Sequence, residues 1–357
     1  MTFLLPFAIF FLQIKTREYP IHMADGSKTE LPATYDALIL AGDKKGSRKV
    51  HDENKAFLTF KGRPIIRYII EALKGSPYIR DIYIVGPKSR LESALAGDPT
   101  STGGGKVVIL EQWDNLIENA LNGYLFTIPG HTRDIDPDSY LDTPHVDKKV
   151  LALSTDMPLL TSFEIDEFLE GVEPDTYDYQ AGITSDETLH HFYPDRRKKR
   201  KGIRHAYFHF REGNYRQNNM HFGALLRLRN KTYIEKMYES RHQREWRDII
   251  KLVVEILRTE KGSYKALYYF VLFQMCMFFT SKGLYALTNL FRRLIRLSDV
   301  ERLIGIILGT RFKSVETHYG GGALDIDSEV EFEAIRENFD DWATYQRELY
   351  EKNMKEK

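Results

Sequence analysis

Cysteine is almost absent from this chain. A single residue, Cys276, among 357 excludes an internal disulfide framework and fits a reducing compartment. Its place inside an apolar run marks it as a packing residue. Net charge is missing as well: 51 basic residues cancel 51 acidic ones, so no global field would hold the chain on nucleic acid or on an anionic membrane. Any anion site must therefore be local, and no nucleic-acid partner is expected. Nor is there an uninterrupted apolar stretch of the roughly 20 residues that a membrane-spanning helix needs. The opening MTFLLPFAIFFLQIK falls short of that length and lacks a charged start and an A-x-A-like cleavage site. Met23 begins a polar lead-in, MADGSKTELPATYDALIL. Residues 1–33 are thus expected to be a dispensable or over-extended N-terminal extension, with a membrane-touching anchor as the alternative. The expected location is cytoplasmic, with a peripheral position at the inner membrane face kept open.

A core is present in full measure, because 42% hydrophobic and 13% aromatic content gives a chain of this length ample surface to bury. Four short apolar runs, DALILAG, DIYIVGP, KVVIL and KVLALSTD, have the length and branching of strands. Between the first two, GRPIIRYIIEALKG places Ile65, Ile66, Ile69, Ile70 and Leu73 on one helical face, with Pro64 in the first turn. Strand, helix and strand in this order build a parallel sheet covered by helices. The fold class is therefore α/β, a Rossmann-like mostly parallel sheet, and ligands are expected at the exit of the first strand.

Further along, TSFEIDEFLEGV carries a capping-box pattern, with Thr161 followed three residues later by Glu164. Residues 194–222 alternate polar and aromatic positions around REGN and predict a β-hairpin turning near Gly213. From about Leu225 to Leu308 the pattern becomes helical and very apolar. Residues 34–224 and 313–340 are thus assigned to the α/β domain, 225–312 to a helical insertion, and 341–357 to a C-terminal helical tail.

The residues able to carry chemistry cluster at strand ends. In ALILAGDKKGSRKVHDENKAF, Gly42 and Gly46 let backbone N–H groups face phosphate oxygens, while Arg48 and Lys55 add the positive charge a triphosphate needs. Asp156, in LALSTDMPLL, stands at the end of an apolar strand, and phosphate-bound Mg²⁺ is usually held by one or two carboxylates. ALDIDSEVEF predicts a short strand presenting Asp325 and Asp327 on one face. Asp325 suits the metal, while Asp327 or Ser328 would cap the helix that follows.

Taken together, LAGDKKGSR, the lysine of NKAFLTFKGRPII, STDMPLLT and DIDSEVEF resemble the MobA-like NTP transferases, in a bacterial branch of that family. The family pattern runs L-A-G-G-x-G-x-R, K-A-L with G-x-P-L-I, D-x-P and D-x-x-T-P-E-D-L. The resemblance covers residues 35 to about 160 and 317 to 335. It implies a nucleotide-diphospho-sugar-transferase type of fold and transfer of a nucleoside monophosphate from an NTP to a phosphorylated small-molecule acceptor, with release of pyrophosphate. Leu40, Ala41, Gly42, Gly46, Ser47 and Arg48 would cradle the nucleotide, Lys55 would stabilise the α-phosphate with Arg48 beside it, and Asp156 and Asp325 would hold Mg²⁺. In-line phosphoryl chemistry of this kind is positioning and charge neutralisation, with no protein nucleophile.

Two departures stand out. Asp43 occupies the position of a family glycine, a carboxylate beside a triphosphate that Lys44, Lys45 or the metal would have to offset. The closing motif reads SEVEF in place of T-P-E-D-L. In the middle of the chain, the basic run 196–201 reads as a solvated loop or an anion contact. Asn218 and Asn219 are acceptor-side candidates by resemblance. His205, His209 and His221 lack the spacing of a zinc site. The apolar run 266–279 reads as a buried helix, with peripheral membrane contact or a homodimer interface as alternatives. Two other functions fit the same residues: a nucleotide-sugar glycosyltransferase, whose metal-binding D-x-D the DID resembles, and a non-catalytic nucleotide-binding or membrane-associated scaffold.

Overall fold

The architecture, taken from a computed structural model, is described for residues 33–44, 49–97, 105–195, 197, 199–228 and 264–356. Eight strands form the main sheet: β1 (Tyr35–Leu40), β2 (Ile79–Gly86), β3 (Val107–Glu111), β4 (Val150–Ser154), β5 (Tyr179–Ser185), β6 (Phe208–His209), β7 (Asn214–Gly223) and β8 (Phe312–Thr317). They lie in the order β8-β5-β7-β4-β1-β2-β3, with β6 pairing outside this path on β7. The pairs of β1 with β2 and β4, of β2 with β3, and of β5 with β8 are parallel. Strand β7 runs antiparallel to both its neighbours β4 and β5. The sheet is thus mixed and mostly parallel. Strand β1 buries Ala37, Leu38 and Ile39 in succession, as expected for a central strand covered on both faces.

Helices supply those covers. Helix α1 (Ile65–Lys74) buries Ile66, Ile69, Ile70 and Leu73 with Ile39, Ile84 and Leu153 of the sheet. Four such side chains contribute on the order of 8 kcal/mol of burial. Pro64 stands at the N-cap of this helix, one position before its first turn. Helix α2 (Lys88–Leu95) adds Leu91 to the same cluster. On the other face, helix α3 (Leu116–Phe126) packs Tyr124 and Leu125 with Leu38 and Val85. Helix α4 (Ser162–Glu170) starts at Thr161, whose hydroxyl accepts from the Glu164 N–H as the capping box requires. The reciprocal half of the box is not made. The Glu164 carboxylate turns inward and accepts from the Gly322 N–H at 3.1 Å instead.

The hairpin is present but short on one side, with Phe208 and His209 pairing with Tyr215 and Asn214 around the Gly213 turn. Beyond it come helices α5 (Tyr264–Ser281), α6 (Tyr285–Arg292) and α7 (Leu297–Leu308), with a core of their own around Leu272, Phe273, Cys276 and Ile295. The expectation of a buried helix over 266–279 needs correction. One face is indeed buried, but Leu267, Tyr268, Val271 and Phe278 are exposed. The boundary drawn at 340 also fails, because α8 (Glu329–Glu356) is one continuous helix. Its Trp342 is fully buried against Phe192, so this helix is part of the main body and not a tail.

Candidate active site

Parallel strands all deliver their carboxyl ends to one edge of the sheet. Strand β1 lies between β2 and β4, and the chain leaves it first toward β2 and later returns on the β4 side, so a crevice opens at this switch in strand order. Four separate segments meet there. Loop 41–44 leaves β1, residues 53–57 close a small ribbon of Lys49–Val50 paired with Glu53–Asn54 and turn at Lys55–Phe57, Thr155 and Asp156 leave β4, and residues 320–327 follow β8. The short strand expected over Asp325 and Asp327 is absent. Gly321–Ala323 forms a tight helical turn, and residues 324–327 continue without pairing as strand.

That turn is glycine-rich for a steric reason. Gly320 has φ near +89°, and a Cβ on Gly321 would stand 2.1 Å from the Leu159 carbonyl oxygen. The Ile326 N–H then donates to the Asp156 carbonyl at 3.0 Å. This single backbone bond ties two segments about 170 residues apart and sets Asp325 and Asp327 on either side of it. Carboxylate oxygens of Asp156, Asp325 and Asp327 consequently lie within 4.8 Å of one another. Ser328, not Asp327, caps α8: its hydroxyl exchanges bonds with Glu331, whose carboxylate also accepts from the Asp327 N–H at 2.8 Å.

Three carboxylates this close repel unless cations intervene, and two do. Lys55 Nζ donates to Asp156 at 2.8 Å and to Asp327 at 2.7 Å. Arg216, from β7, pairs with Asp325 at 2.5 Å. Burial pulls the Lys55 pKa down, but Asp156 and Asp327 outweigh it and raise the ammonium above its ordinary value. Burial pushes Asp325 up, and Arg216 more than reverses this, leaving its carboxyl below the usual range. Formal charges of three carboxylates and two cations leave one negative charge on a largely buried cluster. A set of hard oxygen donors with a residual negative charge fits a divalent cation such as Mg²⁺.

The β1 exit is shaped just as tightly. Asn54 is buried and donates to the carbonyls of Ala41 and Gly42 at 3.3 and 3.2 Å, while its Oδ1 accepts from the Ala56 N–H at 2.8 Å. One side chain thereby clamps the loop and caps the turn that begins at Lys55. Leu40 ends the strand and Ala41 donates to the Val85 carbonyl at 2.7 Å. A Cβ on Gly42 would stand 2.6 Å from Asn119 Nδ2, so a larger residue there would have to push that side chain aside. Asp43 is compensated differently from the expectation. Gln112 donates to it at 2.6 Å and accepts from its N–H at 2.9 Å, and Arg90 lies 3.6 Å away. Lys44 reaches Asp114 instead, at 3.1 Å. Lys45, Gly46, Ser47 and Arg48 lie outside the described residues.

The acceptor-side expectation changes most. Asn218 is 1% exposed and donates to Thr184 and Thr317, so it belongs to the sheet interior and cannot line an open wall. Its neighbour Asn219 is half-buried. Thr317 in turn donates to the fully buried Glu164, whose pKa burial raises to about 7. On β7 it is Arg216 that reaches the carboxylates. His205 stands near it, held neutral by burial and by Arg216, with a pKa lowered to about 3. His205 Nε2 and Arg216 Nε are both buried without a hydrogen-bond partner. The other two histidines of that trio are packed: His221 bonds Tyr179 at 2.8 Å, and His209 bonds Asn214 and Thr280. In the basic run, Arg200 donates to the His191 carbonyl and Lys201 pairs with Glu337, so both serve the fold. Arg196 and Lys198 lie outside the described residues.

Asn54, Gln112, Arg90, Asp327 as a cluster member, Arg216 and His205 were not singled out for these roles from sequence. Asn54 and Gln112 carried a usable signal, since each is a polar residue beside a predicted strand end or a predicted site lysine. Arg216 carried none, because a cation in an alternating strand is ordinarily on a solvated face.

Comparison with known proteins adds two findings. Residues 37–212 match the MobA-like NTP transferase domain. The match ends within the hairpin, so Asp325, Asp327 and Arg216 lie beyond it. Among solved structures, a hypothetical transferase from Thermus thermophilus superposes with a TM-score of 0.50 at 18% identity, over 84% of this chain and 99% of that one, which shows a shared fold. A looser overlap, TM-score 0.40 at 10% identity, covers 86% of this chain and 99% of a CMP:2-keto-3-deoxy-manno-octonic acid synthetase complexed with CTP. No curated protein sequence matches the chain significantly.

Proposed function

Starting from a chain that carries a MobA-like NTP transferase domain and so is an enzyme of the nucleotidyltransferase type, we propose that it moves a nucleoside monophosphate from an NTP to a phosphorylated small-molecule acceptor. An acceptor oxygen attacks the α-phosphorus, the bond to the β-phosphate oxygen breaks, and pyrophosphate leaves. The observation that carries this reading is the convergence of Lys55 with Asp156, Asp325 and Asp327 at the carboxyl edge of the sheet, beside the β1 exit loop.

Each residue then has a definite task. An ammonium has three donors; Lys55 gives two to carboxylates and keeps a third for an α-phosphate oxygen. Its raised pKa keeps it cationic at any physiological pH. The loop from Leu40 to Gly42, together with Gly46, Ser47 and Arg48, would hold the phosphates. Asp156, Asp325 and Asp327 would hold Mg²⁺, which when bound supplies charge neutralisation to the phosphates. Arg216, whose side chain keeps 23% of its surface exposed, would face an anionic acceptor. With a pKa near 3, His205 is no general base, in keeping with chemistry that rests on positioning. Among the described residues no helix is long and apolar enough to cross a membrane.

The test is product analysis with each of the four NTPs, Mg²⁺ and a panel of sugar and polyol phosphates. Acceptor-dependent release of pyrophosphate supports the proposal. Release of a nucleoside diphosphate from a nucleotide sugar would favour glycosyl transfer, and nucleotide binding without product would favour the scaffold reading.

A further inference from the structure

The helical hairpin α5–α6 inverts the usual distribution of side chains. Nine of the twelve large hydrophobic residues exposed among the described residues fall between 267 and 294. On α5, Leu267, Val271 and Phe278 recur at helical spacing along one face, with Lys282 completing the row. Around α6, Leu287, Leu290 and Leu294 do the same. Exposure is large, 56% for Phe278 and Leu290 and 64% for Tyr285. The opposite faces bury Leu272, Phe273 and Cys276, so the outward residues are a second, separate apolar face.

Charge identifies what would cover it. From 261 to 298 the sequence contains Lys261, Lys265, Lys282, Arg292, Arg293 and Arg296 and no Asp or Glu. Lys265, Lys282, Arg293 and Arg296 are exposed. The chain as a whole is neutral, so this is a local excess. A second copy of the same face would be a poor partner, because a two-fold interface sets a patch against itself and here cations would meet cations. An anionic bilayer satisfies both features at once, taking the apolar side chains among its acyl chains and the cations at its headgroups. The exposed tyrosines Tyr268 and Tyr285 suit the same boundary. We propose that the α5–α6 hairpin seats the protein peripherally on a membrane rich in anionic phospholipid. The proposal rests on this face alone and is independent of the transfer chemistry.

Co-sedimentation of the full chain with vesicles of phosphatidylcholine, alone or mixed with phosphatidylglycerol, is the test. Binding is expected to the mixed vesicles and to weaken with salt. The double variant Arg293→Gln/Arg296→Gln should bind roughly 30-fold more weakly, at about a fivefold loss per cation near the surface. Leu290→Ser should also weaken binding while leaving its salt dependence intact. Because all three positions are exposed, circular dichroism and melting temperature should match the parent protein. Equal binding to both vesicle types, or to neither, overturns the proposal. So does a concentration-dependent dimer in light scattering that Leu290→Ser abolishes without any effect on sedimentation.

Discussion

Two regions of this molecule break the same rule in opposite directions. At the sheet edge, charged groups are buried: Lys55, Asp156, Asp325 and Arg216 are all largely withdrawn from water. On the α5–α6 hairpin, apolar groups are exposed. Other buried carboxylates among the described residues, such as Asp36 with Arg80 and Lys148 or Asp178 with Arg311, stand singly among cations and not three together. Buried charge persists only where each ion has partners, and exposed apolar surface persists only where something else covers it. Each inversion costs stability and so points to a role beyond stability.

The largest expected effect comes from breaking the buried charge cluster. Asp156→Ala should lower turnover by at least about 1,000-fold, on the order of 4 kcal/mol of transition-state stabilisation. Steady-state pyrophosphate release, with circular dichroism as the fold control, checks it. Next comes the packing that holds the edge together. Trp342→Ala should cost about 3–5 kcal/mol in urea melts, because it opens a cavity against Phe192 in the core shared by α8 and the main body. A separate tail would lose almost nothing.

Those two predictions also separate what the chain's pattern revealed from what it hid. The place of Asp156 at the sheet edge was legible, because an apolar strand ends just before it and a proline follows two residues later. The central strands were legible as short, continuously apolar runs, and α1 by the helical spacing of its isoleucines. Arg216 and the joint role of Asp325 and Asp327 were not, since one backbone bond, Ile326 to Asp156, decides where those carboxylates go. Asn218 was misread for a similar reason. Its position on β7 gave the right strand, but the face it occupies depends on the irregular pairing of β7 with β5 between Gln217 and His221.

A subtler difference concerns Glu164, the buried carboxyl that holds the Gly322 turn. Its folded pKa, near 7, lies above the ordinary carboxyl value of 4.5 from which it is raised, chiefly by burial. The native state therefore keeps its proton longer than the unfolded chain. Stability should fall as pH rises from about 4.5 to 7, by at most roughly 3 kcal/mol, and level off above. Urea melts across that range should show the slope in the parent protein and lose it in Glu164→Gln. The smallest effect belongs to the hairpin, where Leu290→Ser should change stability by no more than about 0.5 kcal/mol, since the side chain has little burial to lose.

Most directly, thermal unfolding in the presence of each NTP, with and without Mg²⁺, tests whether the charge cluster is a nucleotide site. A ligand that binds only the folded state must raise the melting temperature by mass action. The account predicts an upward shift with at least one NTP that requires Mg²⁺ and vanishes in Asp156→Ala. An unchanged melting temperature with all four nucleotides, or a shift that survives Asp156→Ala undiminished, would contradict it.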